Sequence, residues 1–343
     1  MFEKADLLSF FHLRKELPVI DVRSPCEYIK GHIPGSINIP LFSDEERAAI
    51  GTLYKEEGQD EAILLGESYA NPKIDWYLSK VREQSDSKHL LVYCFRGGLR
   101  SSRFCSLLES KGWKPSKLTG GYKSYRRSVK ALFSGNLPLL ILGGRTGSGK
   151  TEVLWELDKR GEQVIDLEGL ANHRGSAFGN IGLDEQPTTE QFENNLYEKF
   201  LLIGDQKPIW LEDESAGIGR IFLPEELYKT MRRSPMLVME IPRSIRVERL
   251  CAEYSGCGSA PLVKGVLKIT KRLGGERSAR AISAIQDGKL SEGASIILEY
   301  YDKCYDYGMN RDRQRILKVL KLETGNPDKA AEELLKLKDS LSL

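Results

Sequence analysis

The 343-residue chain has no apolar run approaching the roughly 18 residues that a membrane-crossing helix needs, so no helical span is expected. It has no Cys-x-x-Cys pair, and its four histidines are too scattered to suggest a zinc site. The first residues, MFEKADLLSFFHLRKELPVID, carry charges where a signal peptide requires an unbroken apolar stretch. The expectation is a cytoplasmic protein whose six cysteines are reduced. Internal repeats and low-complexity tracts are also lacking. What is present, 40% apolar and 29% charged residues, fits a soluble globular chain long enough for two domains.

Net charge is small, +2, but it is unevenly spread. Residues 96–130 hold ten Lys and Arg against Glu109 alone. Residues 257–290 hold seven, including Lys264, Lys268, Arg272 and Arg277, against Glu276 and Asp287. Local basic excess on a near-neutral chain is the footprint of a polyanion, or of a solvated helix face.

Two segments each centre on a strand–loop–helix motif. In the first, LPVIDVRSP (17–25) and HLLVYC (89–94) read as buried parallel strands. The helical spacing of Phe104, Leu107, Leu108 and Trp113 follows Cys94, and KLTGGY closes the segment. Alternation of this kind predicts a small parallel sheet covered on both faces. FSGNLP (133–138) reads as a linker between an α/β segment over 1–132 and a second over 139–290. The second has strands at LPLLILGG, EQVIDLEG (162–169), KPIWLEDES (207–215) and PMLVMEIP (235–242). Residues 291–343 read as a helical C-terminal extension, with Asn326 or Asp328 as a cap and Pro327 in a first turn.

Residues 144–151, GRTGSGKT, match the full phosphate-loop pattern between an apolar strand and a helical segment. Gly144, Thr146, Gly147, Ser148 and Gly149 supply a backbone that wraps a di- or triphosphate. Lys150 adds a full charge, and Thr151 can hold magnesium; no metal ligand set is otherwise assigned. Glu212, Asp213 and Glu214 at a strand end offer a carboxylate for that ion, or are turn acids. The motif identifies a phosphate chain only: ATP, GTP and a prenyl diphosphate all satisfy it.

Cys94 follows a buried strand and precedes a helix, among Arg96, Gly97, Gly98 and Arg100. Loop N–H groups and a helix dipole at such a place lower a thiol pKa from about 8.5 toward roughly 3.5–7.5. Cys94 is therefore expected to be reactive, and Cys105, inside the following helix, to be core. VIDVRSPCEYIKGHIPGSINIP, the Cys94 loop and LTGGYKSY together resemble a rhodanese domain, which carries sulfur as a persulfide on that cysteine. Asp21, Arg23 and His32 match its pattern as structural residues. CFRGGLRS also has the Cys-x5-Arg-Ser length of dual-specificity phosphatases, which admits phosphate. Tyr93 stands where those enzymes have histidine, and no general-acid aspartate is evident, which weighs against ester hydrolysis.

The strings CFRGGLRS, LTGGYKSYRR, GGRTGSGKT, DLEGLANHRGSAFG and LEDESAGIGR together resemble the tRNA 2-selenouridine synthase family over nearly the whole chain. The resemblance implies a rhodanese-like parallel-sheet domain followed by a P-loop NTPase-like α/β domain. It implies replacement of the sulfur of wobble 2-thiouridine by selenium in lysine, glutamate and glutamine tRNAs. Selenophosphate is the implied selenium donor, and geranyl diphosphate first alkylates the sulfur; no tightly bound cofactor is expected. Cys94 would carry selenium, with Arg96, Gly97, Gly98 and Arg100 on the selenophosphate. Residues 144–151 would take the diphosphate, and His173, Arg174, Glu212 and Glu214 are the second-site candidates. The rival readings are an ATP-coupled sulfurtransferase, a tRNA-binding scaffold and a phosphatase–kinase fusion.

Overall fold

The apolar runs become parallel strands because each is short, rich in branched side chains and followed by a turn and a helix. In a computed structural model, which describes residues 2–85, 87–204, 207–312 and 315–343, they fall into two units, Met1–Leu132 and Phe133–Leu343. The first unit runs β1 (Glu3–Ala5), α1 (Leu7–Leu13), β2 (Val19–Asp21), α2 (Pro25–Lys30), β3 (Ile37–Asn38), α3 (Asp44–Glu56), α4 (Gln59–Ala70), α5 (Ile74–Arg82), β4 (His89–Tyr93), α6 (Leu99–Ser110), β5 (Lys114–Leu118) and α7 (Gly121–Phe133). Its sheet is ordered β1-β5-β4-β2-β3 with parallel neighbours. β2 is buried at every position, as a strand covered on both faces must be. One core cluster joins Ile20, Val92, Phe104 and Leu108 to Tyr77 of α5. α2 starts at a capping box, Ser24 with Glu27, and has Pro25 in its first turn.

The second unit runs β6 (Leu139–Gly144), α8 (Lys150–Lys159), β7 (Gln163–Ile165), α9 (Leu167–Ala171), α10 (Thr189–Leu202), β8 (Ile209–Glu212), a small hairpin of β9 (Gly217–Ile218) and β10 (Ile221–Phe222), then α11 (Glu225–Arg233) and β11 (Met236–Glu240). Helices α12 (Arg243–Tyr254), α13 (Ser259–Leu273), α14 (Gly275–Gln286) and α15 (Leu290–Asp312) follow, then β12 (Ile316–Lys321) and α16 (Pro327–Ser340). The sheet order is β12-β11-β6-β8-β7, again parallel. Helices α13, α14 and α15 pack around a separate apolar cluster containing Val266, Ile285 and Ile297.

The expected helical extension over 291–343 is corrected by a strand within it. Residues 316–321 form the edge strand β12, pairing with β11, and Asn326 caps α16 by accepting from the Asp328 and Lys329 N–H groups. ILKVLK is short, and its burial never exceeds partial, as an edge strand tolerates. Leu317 and Leu320 pack against the core that Ala331 and Leu334 of α16 complete. The extension is thus part of the second sheet and its cover.

Candidate functional sites

Cys94 stands one residue beyond β4 and is 3% exposed. Its Sγ lies 3.2 Å from Ser101 Oγ in the first turn of α6. The loop between them is held from below by α7: the Tyr122 N–H donates to Cys94 O and the Lys123 N–H to Phe95 O. Gly97 (φ +64°) and Gly121 (φ +58°) are in the left-handed region that favours glycine. They also touch: a Cβ on Gly121 would stand 2.2 Å from Cys94 O and 2.5 Å from Gly97 N. Lys117, buried at the end of β5, donates to Gly97 O at 2.9 Å and Ser102 Oγ at 2.7 Å. A positive charge therefore sits under the loop from a residue whose role no motif announces.

Arg100 is half-buried and forms a two-pronged pair with Glu27, 2.5 and 3.2 Å. Burial opposes ionisation of Glu27, but the Arg100 guanidinium outweighs it and holds the carboxyl below its usual range. Arg96 and Gly98 are exposed on the loop. Asp21 and Arg23 form a buried pair in which Arg23 also donates to Gly31 O and lies 3.9 Å from the centre of the Tyr122 ring. Tyr93 Oη accepts from the Ile33 N–H and meets Ser36 Oγ at 2.9 Å, and His32 stacks on Tyr28 at 3.8 Å. These groups hold up the site from behind. Cys105 is fully buried, and burial pushes its thiol pKa up to about 12.

In the second unit, a cleft of about 1020 Å³ opens over the phosphate loop. Gly144, Thr146, Gly147, Ser148, Gly149, Lys150 and Thr151 all line it. Gly147 and Gly149 have φ of +78° and +77°, which lets the loop turn into α8. The Gly144 N–H donates to Tyr305 Oη at 2.8 Å, Lys150 Nζ donates to Gly144 O at 3.1 Å, and Arg246 Nη1 donates to Thr146 O at 3.1 Å. Apolar side chains of the helical cluster, Phe178, Leu262, Ile285, Leu290, Ile297 and Tyr301, line the same cleft.

The acid beside Thr151 is Glu168: Thr151 Oγ1 donates to its Oε2 at 3.2 Å. Glu214 converges on the same spot, since a Cβ on Gly175 would lie 2.7 Å from Glu168 Oε1 and 2.9 Å from Glu214 Oε2. Burial, then the charge of Glu168, pushes the Glu214 carboxyl well above its usual range. Glu212 is not at the surface of the cleft; it is fully buried and accepts from the Glu168 N–H at 2.7 Å. Burial, then Asp166 and Glu168, raises its pKa as well. Asp213 pairs with Arg232 at 3.0 Å, yet burial lifts its pKa to about 6.

Of the two candidates in ANHRGSAFG, Arg174 lines the cleft and pairs with Glu253 at 2.6 Å. His173 is buried beneath it against Gly179 and Gly219, and its Nδ1 has no hydrogen-bond partner among the described residues. Burial, then the charge of Lys268, pulls its pKa down. Glu168 and Arg249 line the cleft and Lys117 holds the cysteine loop, though sequence reasoning singled out none of the three. Glu168 lies in the family-like string DLEGLANHRGSAFG and Lys117 opens KLTGGY, while Arg249 has no motif around it. Among the described residues no group of three or more His, Cys, Asp or Glu side chains is arranged to hold a metal, and no helix is long and apolar enough to cross a membrane.

Comparison with known proteins matches both halves. The family model described as the tRNA 2-selenouridine synthase AAA domain covers residues 137–332, and the rhodanese-like domain model covers residues 5–128. The tRNA 2-selenouridine synthase of Psychromonas ingrahamii is 35% identical over 332 residues, 87% of this chain and 90% of that protein. That of Sulfurovum sp. is 36% identical over 88% of this chain and 91% of its own length. That of Shewanella frigidimarina is 36% identical over 89% and 92%.

Proposed function

The chain belongs to the tRNA 2-selenouridine synthase family, and from that premise we propose that it exchanges the sulfur of wobble 2-thiouridine for selenium through an S-geranyl intermediate. The observation that carries this reading is the composition of the second unit's cleft. A phosphate loop and a set of apolar side chains line the same cleft there, as the two ends of a prenyl diphosphate require.

In the first step the thiouridine sulfur attacks C1 of geranyl diphosphate. The C–O bond breaks, and the diphosphate leaves with the electron pair. Lys150 and the loop N–H groups stabilise that developing charge. S-alkylation also releases the N3 proton of the base, which a carboxylate of the cleft would accept. Thr151 and Glu168 give a hydroxyl and a carboxylate 3.2 Å apart, the oxygen donors that would hold a magnesium ion neutralising the diphosphate.

The second step needs a soft nucleophile against the geranylthio-bearing carbon. The Cys94 loop presents it as selenophosphate, with Arg96 and the Gly97–Gly98 turn as its anion contacts: selenium bonds to that carbon, the C–S bond breaks and geranylthiol leaves, and water then cleaves the P–Se bond and releases phosphate. Arg100 reaches that anion only by sharing itself with Glu27. The tRNA anticodon loop is single-stranded, so its base can be splayed out. Exposed Lys123 and Arg127 on α7 face outward for its backbone.

Calorimetric titration with pyrophosphate, geranyl diphosphate and ATP tests the cleft. Each buried CH₂ is worth about 0.8 kcal/mol, so even a half-buried ten-carbon tail should tighten binding about a hundredfold or more over pyrophosphate. ATP binding tighter than geranyl diphosphate would defeat the reading in favour of an ATP-coupled sulfurtransferase.

A further inference from the structure

We propose that Arg249 is a second cation of the diphosphate site, kept beside the phosphate loop by Glu152 and handed to the diphosphate when it binds. The inference rests on the diphosphate reading of the cleft. Arg249 comes from α12, yet its guanidinium packs against Gly149 of the phosphate loop. An ideal Cβ on Gly149 would stand 2.5 Å from its Nη2, 2.7 Å from its Cζ and 3.1 Å from its Nε. Gly149 is required for its positive φ, and Arg249 occupies the space beside it that a side chain would otherwise enter.

Two contacts fix the side chain. Nη1 donates to Gly325 O at 3.0 Å, in the turn before α16, and Nη2 pairs with Glu152 Oε1 at 2.6 Å. The two contacts differ in kind. Gly325 O is a backbone acceptor that anchors one nitrogen. Glu152 is a side chain in the first turn of α8, 46% exposed, beside the mouth of the loop. A partly exposed ion pair of this sort contributes little and is given up readily. Both residues line the cleft with Lys150. A diphosphate on the loop N–H groups would meet Nη2 in place of Glu152, while Nη1 stays on Gly325.

Lys150 is a point charge on a flexible stem, whereas Arg249 offers a planar fork that can span two phosphate oxygens. Charge on the leaving diphosphate grows as the C–O bond breaks, so a cation held there favours the transition state over the bound substrate. Arg246 and Arg145 are otherwise committed: Arg246 pairs in two-pronged fashion with Asp302, and Arg145 with Asp306.

The test is pyrophosphate binding by the full-length chain and by its Arg249→Gln, Glu152→Gln and doubly substituted variants, with melting temperature as the folding control. The expected result is about ten- to hundredfold weaker binding for Arg249→Gln, the loss of one charge-assisted contact. Glu152→Gln should bind about threefold or more tighter, because Nη2 is released, and that gain should vanish once Arg249 is also replaced. Arg249→Gln binding like wild type, or an equal Glu152→Gln gain with and without Arg249, overturns the proposal. Failure of wild type to bind pyrophosphate at all would instead overturn the diphosphate reading beneath it.

Discussion

Gly121→Ala probes the construction of the cysteine loop. Gly121 has φ +58°, where an alanine costs roughly 1–2 kcal/mol in backbone strain alone. The new methyl would stand 2.2 Å from Cys94 O and 2.5 Å from Gly97 N. Both are backbone atoms, so no side chain can rotate away. Relief requires moving the loop, at about 1–3 kcal/mol by analogy with overpacked cores. The total, about 2–5 kcal/mol, corresponds to a fall in melting temperature on the order of 10 °C for a domain of this size. The hydrogen bonds from the Tyr122 N–H to Cys94 O and from the Lys123 N–H to Phe95 O should open with it. Gly98→Ala is the control, because nothing lies within 4 Å of its Cβ position and its φ is −93°. Thermal unfolding of the full chain and amide exchange at Tyr122 and Lys123 read the effect. A Gly121→Ala protein that melts with Gly98→Ala and keeps both amides protected would refute this account of the loop.

Glu212→Gln should stabilise the protein as pH rises. Below about pH 4.5 folded and unfolded chains both carry a protonated Glu212; above it only the unfolded chain ionises, so wild type loses stability with pH and the variant does not. Urea midpoints should agree near about pH 4 and separate progressively toward pH 8; a gap independent of pH contradicts the assignment. Lys117→Met removes two hydrogen bonds of a buried ammonium, to Gly97 O and Ser102 Oγ. It should lower stability by about 2–4 kcal/mol in urea unfolding, and an unchanged midpoint would show that the loop does not depend on it. Affinity for 2-thiouridine tRNA should fall by about 0.7–0.9 log units per log salt for each phosphate contact. Replacing Lys123 or Arg127 should flatten that slope by about one contact, and an unaltered slope would remove α7 from the tRNA surface.

Strands and phosphate loop were legible because their signals are local. An apolar run, a glycine turn and a helix start lie within a few residues of one another, at Cys94 and at Lys150 alike. β12 was hidden because ILKVLK is a partly exposed edge strand whose lysines read like those of the helices around it. Side-chain convergence across the chain is not local at all. Arg100 finds Glu27 seventy-three residues away, and Arg249 reaches a loop a hundred residues earlier. Residue type puts His173 and Arg174 of ANHRGSAFG forward together, and only packing separates Arg174, in the cleft, from His173, buried behind it. Likewise LEDES offers three acids, and burial sorts them: Glu214 faces the cleft, Asp213 holds Arg232 and Glu212 supports Glu168.

The central claim is a division of labour between the Cys94 loop and the phosphate-loop cleft. Mass spectrometry of nucleosides from 2-thiouridine tRNA, after incubation with geranyl diphosphate or with geranyl diphosphate and selenophosphate, tests it most directly. Cys94→Ala should accumulate the S-geranyl nucleoside and form no selenouridine. Lys150→Ala should form little of the geranyl product, yet convert tRNA that already carries it. Folded variants that each lose both reactions to the same extent would contradict the two-site account.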